Sequence, residues 1–440
     1  MHDVIAQKIA KINGNNSNKT NLENIITNLV NYVPKSVIKA RIFRGAKTMQ
    51  ENLEIILRNS EKYNLNIYKI MQLNGQLITQ YNNSLNYYKL EEKIQWFNKV
   101  DQQGKFKLWL MNNSEKYMYL RYVQKIGVYH ANYLNYRMAI KYFIRAKEIF
   151  YNYNVKGYEA LKWTLFYNIM ISNLALGRVQ EAEKDLQIIE QMSNEGLIDK
   201  SDLGCIHNAK ARLLLVQGKY TESLEQNNKN IEMSIKNGLS PDDLILMYPY
   251  IIKAIILNYL KEYPKAYAQF KQVYNLFKTC KTQSLEILGT IYTEMAKSEL
   301  ELGKMNKASD HVNQAISIFL ADERRNPKDA DYSEDLGLAR SYVVQGDVLF
   351  VQDKIKEAIE SYNKAYSIYY YVYRDNRKNV AQVSELYSQG AKASCKAKNL
   401  SSYRFFGKQQ VKEFGINHAN TVSMFEYCKQ YNMDLWAKEN

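Results

Sequence analysis

The chain has 440 residues, 46% hydrophobic and 24% charged, the balance of an ordinary globular protein, and its 60 basic against 45 acidic residues leave a formal charge of +15. That excess favours polyanionic partners such as nucleic acid or acidic proteins, although a Lys-, Asn-, Ile- and Tyr-rich composition also follows from an AT-rich genome. With five prolines and no strictly alternating β-branched runs the chain reads as all-helical, and nothing in it approaches the apolar length of about 18 residues that spans a membrane.

Met1–Ala10 has neither a long apolar core nor a cleavage signature, so a soluble cytoplasmic protein is expected. Four cysteines (Cys205, Cys280, Cys395, Cys428) stand far apart with no CxxC spacing. Neither a disulfide framework nor a zinc cluster is expected from them, and a reducing compartment fits.

Residues 1–60 have a different grain from the rest. Asp3–Ile12 reads as a short amphipathic helix, Asn13–Asn21 as a polar loop, and Leu22, Ile25, Ile26, Leu29 and Val30 fall at helical spacing. Pro34 breaks this segment because it forces the preceding residue out of the helical region. Ser36–Arg44 is a short basic helix that stops at Gly45, a left-handed cap, and a further helix from Thr48 carries Leu53, Ile56 and Leu57. Nine basic residues against four acids give this segment a local charge of +5.

This order of helices resembles a helix-turn-helix DNA-binding domain of the phage-repressor type. The resemblance implies that Ser36, Lys39, Arg41 and Arg44 lie on or near a recognition helix and meet bases or phosphates of double-stranded DNA. The first loop is long for that family, and the basic helix is one residue too long between Ile38 and Ile42. The alternative is a capping bundle whose basic residues are solvated. Residues 61–116 form a helical connector rich in rings (Tyr63, Tyr68, Tyr81, Tyr87, Tyr88, Trp96, Trp109), which read as core contacts, with a nucleic-acid stacking platform as the alternative.

From Tyr117 to about Phe414 one pattern recurs. A small residue (Gly127, Ala211, Ala254, Ala296, Gly346) is followed by a turn, often at glycine (Gly177, Gly218, Gly303), and then by a second small residue at 139, 182, 223, 266, 308 and 358. A larger side chain four residues on (Phe143, Phe270, Tyr362) fills the space the small ones leave. The spacing is about 42 residues with one step of 50, and a fixed period in this range marks a solenoid of helix pairs, each too small to bury its apolar face alone. The pattern resembles the tetratricopeptide repeat (TPR), in the long-period form found in kinesin light chains and in bacterial receptors for signalling peptides. The resemblance implies a TPR-like right-handed α-solenoid over residues 117–413, with the small helical domain before it and a capping helix in 414–440.

Punctuation within the repeats is clear. Ser240-Pro241-Asp242-Asp243 reads as a helix start with Ser240 as N-cap. Asp322–Asp331 accounts for the long step as a loop insertion, residues 385–413 are a weak seventh repeat, and a closing helix from Thr421 carries Met424, Phe425, Cys428, Leu435 and Trp436.

Signatures of catalysis are missing: there is no HExxH, GxSxG, GxGxxG or phosphate loop ending in GK[ST]. His130 and His207 read as packed helix residues, and no enzyme activity, metal or cofactor is expected. Function then falls to the groove lined by the first helix of each pair. Counting back from the anchors gives Arg121, Gln124, Tyr167, Asn168, Asn208, Arg212, Tyr248, Asn258, Thr293, Lys297, Arg340 and Asp347. Amides suit the alternating NH and CO of an extended peptide, and the cations suit its carboxylates. These residues do not reproduce the Lys/Asn clamp by which chaperone-binding TPR proteins hold a C-terminal carboxylate.

The whole layout resembles the cytoplasmic peptide-pheromone receptors of Gram-positive bacteria, which implies a peptide in the groove, control of an N-terminal effector domain and a homodimer. The alternative is an interaction scaffold that binds a partner protein and no DNA.

Overall fold

A computed structural model of the chain describes residues 53–57, 66–83, 87–132, 135–155, 159–279, 285–321, 335–433 and 435. Ser36, Lys39, Arg41, Arg44, the Gly45 cap, the insertion Asp322–Asp331 and Trp436 all lie outside the described residues. Every regular element among the described residues is a helix. In chain order these are α1 (Ile67–Asn83), α2 (Tyr87–Gln102), α3 (Asn113–Asn132), α4 (Tyr136–Asn152), α5 (Glu159–Ala175), α6 (Val179–Asn194), α7 (Leu203–Val216), α8 (Tyr220–Lys236) and α9 (Met247–Tyr259). They continue as α10 (Tyr263–Thr279), α11 (Leu285–Glu301), α12 (Met305–Ala321), α13 (Leu336–Val351), α14 (Ile355–Tyr373), α15 (Ala381–Lys396), α16 (Leu400–Phe414) and α17 (Ala419–Lys429). The chain divides into two compact units, one made of residues 1–131, 137–170 and 185–206, the other of 132–136, 171–184 and 207–440.

Of the rings expected as core contacts in the first unit, Tyr81 is buried and Tyr68 and Trp96 are half-buried, while Tyr63 and the side chains of Tyr87 and Tyr88 lie outside what is described. Phe97 stacks on Tyr122 with centroids 4.2 Å apart and on Phe106 at 5.2 Å. Trp109 stands apart from them, 70% exposed. Residues 53–57 are helical as their spacing predicts, with Leu53 and Ile56 buried. Glu54 accepts hydrogen bonds from the Tyr81 hydroxyl and Lys89 Nζ, both at 2.7 Å. The small–large rule of the repeat is visible at α3 and α4: a Cβ on Gly127 would stand 2.5 Å from the Phe143 ring, so only hydrogen fits there.

From α5 onward six helix pairs share one turn. The residue two after the first helix is left-handed at Gly177, Gly218, Lys261, Gly303, Asp353 and Lys398, with φ between +52° and +77°. In each, the next backbone N–H returns to a carbonyl five residues back, as Lys304 to Glu299 at 2.8 Å and Asn399 to Ser394 at 2.9 Å. This double-bonded ending satisfies carbonyls that the helix leaves free. Glycine occupies it without strain; Lys261, Asp353 and Lys398 accept the left-handed conformation instead, which hid three of the six turns in the sequence.

The second small residue of each pair is fully buried, at Ala182, Ser223, Ala266, Ala308 and Ala358. Ser223 keeps the position by donating its hydroxyl to the Ala211 carbonyl at 2.7 Å. The weak seventh repeat is a complete pair, α15 and α16. Its pattern is inverted, with buried Tyr403 at the usual small position and Gly407, packed on Leu435, four residues later.

Two expectations are corrected. Ser240–Asp243 does not open an α-helix: Ser240 and Asp242 close a local turn on each other, and Asp243 caps a 3-10 turn, Leu244–Leu246, by accepting from the Ile245 N–H at 2.8 Å. The α-helix begins at Met247, so Pro249 falls in its first turn, where a missing N–H costs nothing. Cys395 and Cys428 are joined as a disulfide, with Cα atoms 5.5 Å apart, tying α15 to α17. Their separation of 33 residues concealed the pairing, because only the return of the chain through α16 brings them together.

Candidate functional site

The first helices of successive pairs in the second unit (α9, α11, α13, α15) pack on one another as an inner layer, buried on nearly every side, whereas the second helices keep an exposed face. Polar residues in that layer are therefore removed from water and must find partners. The structure brings five of the predicted groove residues (Asn258, Thr293, Lys297, Arg340 and Asp347) into one neighbourhood there.

Asn258 donates to the Glu294 carbonyl and carboxylate at 3.1 and 3.2 Å, and accepts from Ser298 at 2.7 Å. Thr293 Oγ1 meets Ser341 Oγ at 2.6 Å across the next pair. Lys297 Nζ and Arg340 Nη1 each donate to a different oxygen of Glu385 at 2.7 Å, and Arg340 Nε donates to Glu294 at 3.0 Å. The cations lie over the Tyr259 ring, Lys297 at 4.8 Å and Arg340 at 5.7 Å from its centroid, and Tyr220 stacks on the same ring at 4.8 Å. The network cross-braces α9, α11, α13 and α15.

Electrostatics separate two carboxylates of this neighbourhood, Glu385 and Asp347. Burial pushes the Glu385 pKa up, but Arg340 and Lys297 outweigh it and hold the group down to about 2. Burial and then the Glu385 charge push the Asp347 carboxyl up to about 7, against opposing contributions from the Tyr362 hydrogen bond and the two cations. Asp347 Oδ1 accepts from the Tyr362 hydroxyl at 2.8 Å and Gln389 at 3.4 Å.

The remaining predicted residues are dispersed. Arg121, Gln124, Tyr167 and Asn168 belong to the first unit. There Arg121 donates to Tyr117 on its own helix at 3.0 Å, Gln124 bridges to Thr164 at 3.0 Å, Tyr167 meets Trp163 edge-on, and Asn168 is half-buried. In the second unit Asn208 is buried, Arg212 half-buried and Tyr248 exposed. The histidines are packed, as expected: His130 stacks on Tyr142 and burial lowers its pKa to about 4, and His207 pairs with Gln226 at 2.8 Å.

Glu294, Glu385, Tyr220 and Tyr259 were missed. Glu385 precedes the left-handed Lys398 by the same interval as Arg340 precedes Asp353, so counting from the turns would have found it. Without a glycine at either turn, the register was not visible. Among the described residues no three metal-ligating side chains come together and no helix is long and apolar enough to cross a membrane.

No protein-family model and no curated protein matches this chain. Solved structures do. NprR in complex with its cognate peptide NprX superposes with a TM-score of 0.57 at 14% identity, over 85% of this chain and 96% of that one. The apo form of the quorum sensor NprR from B. thuringiensis gives 0.50 at 14% identity, over 86% and 96%. The fold is a TPR-like helical repeat. At this identity the likeness is one of fold.

Proposed function

We propose that the protein is a non-enzymatic cytoplasmic regulator whose inner helical layer binds an extended peptide or a segment of a partner protein. In this reading occupancy of the layer controls DNA binding by residues 1–60, with two copies acting as a homodimer on paired half-sites. The observation that carries it is the concentration of amide, hydroxyl and charged side chains on the first helices of the pairs, from Asn208 and Arg212 through Asn258 to Asp347. Such a layer suits the backbone and termini of a peptide. The fold likeness to NprR, a quorum sensor solved with its cognate peptide, supports the same reading.

A second reading is a scaffold that binds no DNA. It is favoured by the packing of residues 53–57, where Leu53 and Ile56 are buried and Glu54 engages Tyr81 and Lys89, a cap-like role for the end of the N-terminal region. The two are separated by binding of the full chain to random and selected DNA across a salt series. The regulator reading expects Lys39→Ala and Arg41→Ala to weaken binding, each lost phosphate contact lowering the log–log salt slope by about one. A monomer that retains no DNA at physiological salt leaves the scaffold.

A further inference from the structure

The charges of the inner layer are largely matched to one another: Lys297 and Arg340 to Glu385, and Arg340 also to Glu294. Some side chains are not, among them Lys253 on α9 and two of opposite sign, Arg212 and Asp347. Arg212, half-buried on α7, makes no hydrogen bond or ion pair among the described residues. Asp347 on α13 accepts only from Tyr362 and Gln389, both on Oδ1, and no cation lies within ion-pair distance. The nearby Lys392 Nζ is turned to Ser423 Oγ at 2.9 Å.

The two occupy the same place in their helices. Arg212 precedes the left-handed Gly218 by the interval that separates Asp347 from Asp353, Lys297 from Gly303 and Ile255 from Lys261. Arg212, Ile255, Lys297 and Asp347 are thus equivalent rungs on four consecutive first helices. The steps from α9 to α11 and from α11 to α13 join packed helices, roughly 9 Å each, so a peptide that also reaches α7 needs more than about five extended residues. Lys297 is neutralised by Glu385, so within these four rungs the free charges lie at the two ends; the next rung, Lys392 on α15, is held by Ser423.

We infer that the peptide taken by this layer is dipolar, with a carboxylate docking at Arg212, an apolar side chain over Ile255, and an ammonium or guanidinium group docking at Asp347. The inference rests on the peptide-binding reading and specifies its ligand. The chemistry at Asp347 is that of a carboxyl group held in a poorly solvated place beside another acid, where a positive charge is favoured. A bound cation supplies that charge and also forms the charge-assisted bond that Oδ2 lacks.

The test is affinity selection by the full chain from two synthetic pools of random heptapeptides, one blocked at both ends and one with free termini, the retained peptides being read by mass spectrometry. Retained peptides should carry an acid and a base well separated along the chain, and enrichment confined to the free-ended pool would assign those charges to the termini. Asp347→Asn should reduce retention of the basic peptides by about tenfold or more, and Arg212→Gln should do so for the acidic ones. Asp347→Glu should keep the bias for a base, which separates lost charge from lost folding. Retention without charge bias, or a bias that neither Asp347→Asn nor Arg212→Gln alters, overturns the dipolar ligand while leaving peptide binding in place. Retention of nothing from either pool overturns both.

Discussion

Glu385 is the point at which the inner layer is most exposed to a single change. Its two oxygens accept from Lys297 and Arg340 at 2.7 Å, and the side chains of the two cations are only 10% and 11% exposed. Glu385→Gln keeps the shape and removes the charge, leaving both cations facing a neutral amide. The carboxyl falls from an ordinary 4.5 to about 2 on folding, which at about 1.36 kcal/mol per unit corresponds to roughly 3 kcal/mol. Breaking a buried pair from one side costs ~3–5 kcal/mol, and the 20% exposure of Glu385 places this case at the lower end. Because the folded pKa lies below the unfolded one, this stability is complete above about pH 4.5 and is lost as pH falls toward 2.

Urea unfolding followed by circular dichroism should therefore show Glu385→Gln about 3 kcal/mol less stable than wild type at pH 7, with the gap about 1 kcal/mol smaller at pH 4. Replacing Lys297, Arg340, Glu294 and Glu385 together by Met, Leu, Gln and Leu should cost less than Glu385→Gln alone, since the Arg340–Glu294 pair is then removed with the rest and none of these four charges is left without a partner. A loss below about 1 kcal/mol at pH 7, or a gap that does not change with pH, would refute the reasoning.

Asp347 should behave in the opposite sense. Its folded pKa, about 7, lies above the ordinary 3.8, so its contribution is complete below about pH 4 and lost as pH rises through 7, and Asp347→Asn should recover up to ~4 kcal/mol at pH 8 and little at pH 4; equal effects at both pH values would contradict this. Ala358→Leu and Gly346→Ala, both at the crossing of α13 and α14 against Tyr362, should each lower stability by about 1–3 kcal/mol through overpacking, and an unchanged thermal midpoint would show that the crossing is not close-packed. Reduction of the Cys395–Cys428 bridge should lower the wild-type thermal midpoint and leave that of Cys395→Ala/Cys428→Ala untouched, the bridge contributing up to about 4 kcal/mol for a loop of this length; the same response in both proteins would place the reductant's effect elsewhere.

The sequence by itself determined the class of fold, the helix-pair repeat and the positions of the close crossings. Each of these is a local matter: an alanine or serine at 182, 223, 266, 308 or 358 is small whatever surrounds it, and a glycine at 177, 218 or 303 marks a left-handed turn within four residues of chain. Signals that substitute one residue type for another were lost, so Lys398 and the inverted Tyr403–Gly407 pair made a complete seventh repeat look weak. Only the tertiary structure decided which polar residues face one another. Counting along single helices found Lys297 and Arg340, but the acid that matches both of them, Glu385, comes from two helix pairs after Lys297. The Cys395–Cys428 bridge has the same character. Such pairings depend on the stacking of separate pairs, and periodicity along the chain fixes which face a residue occupies without fixing what lies across from it.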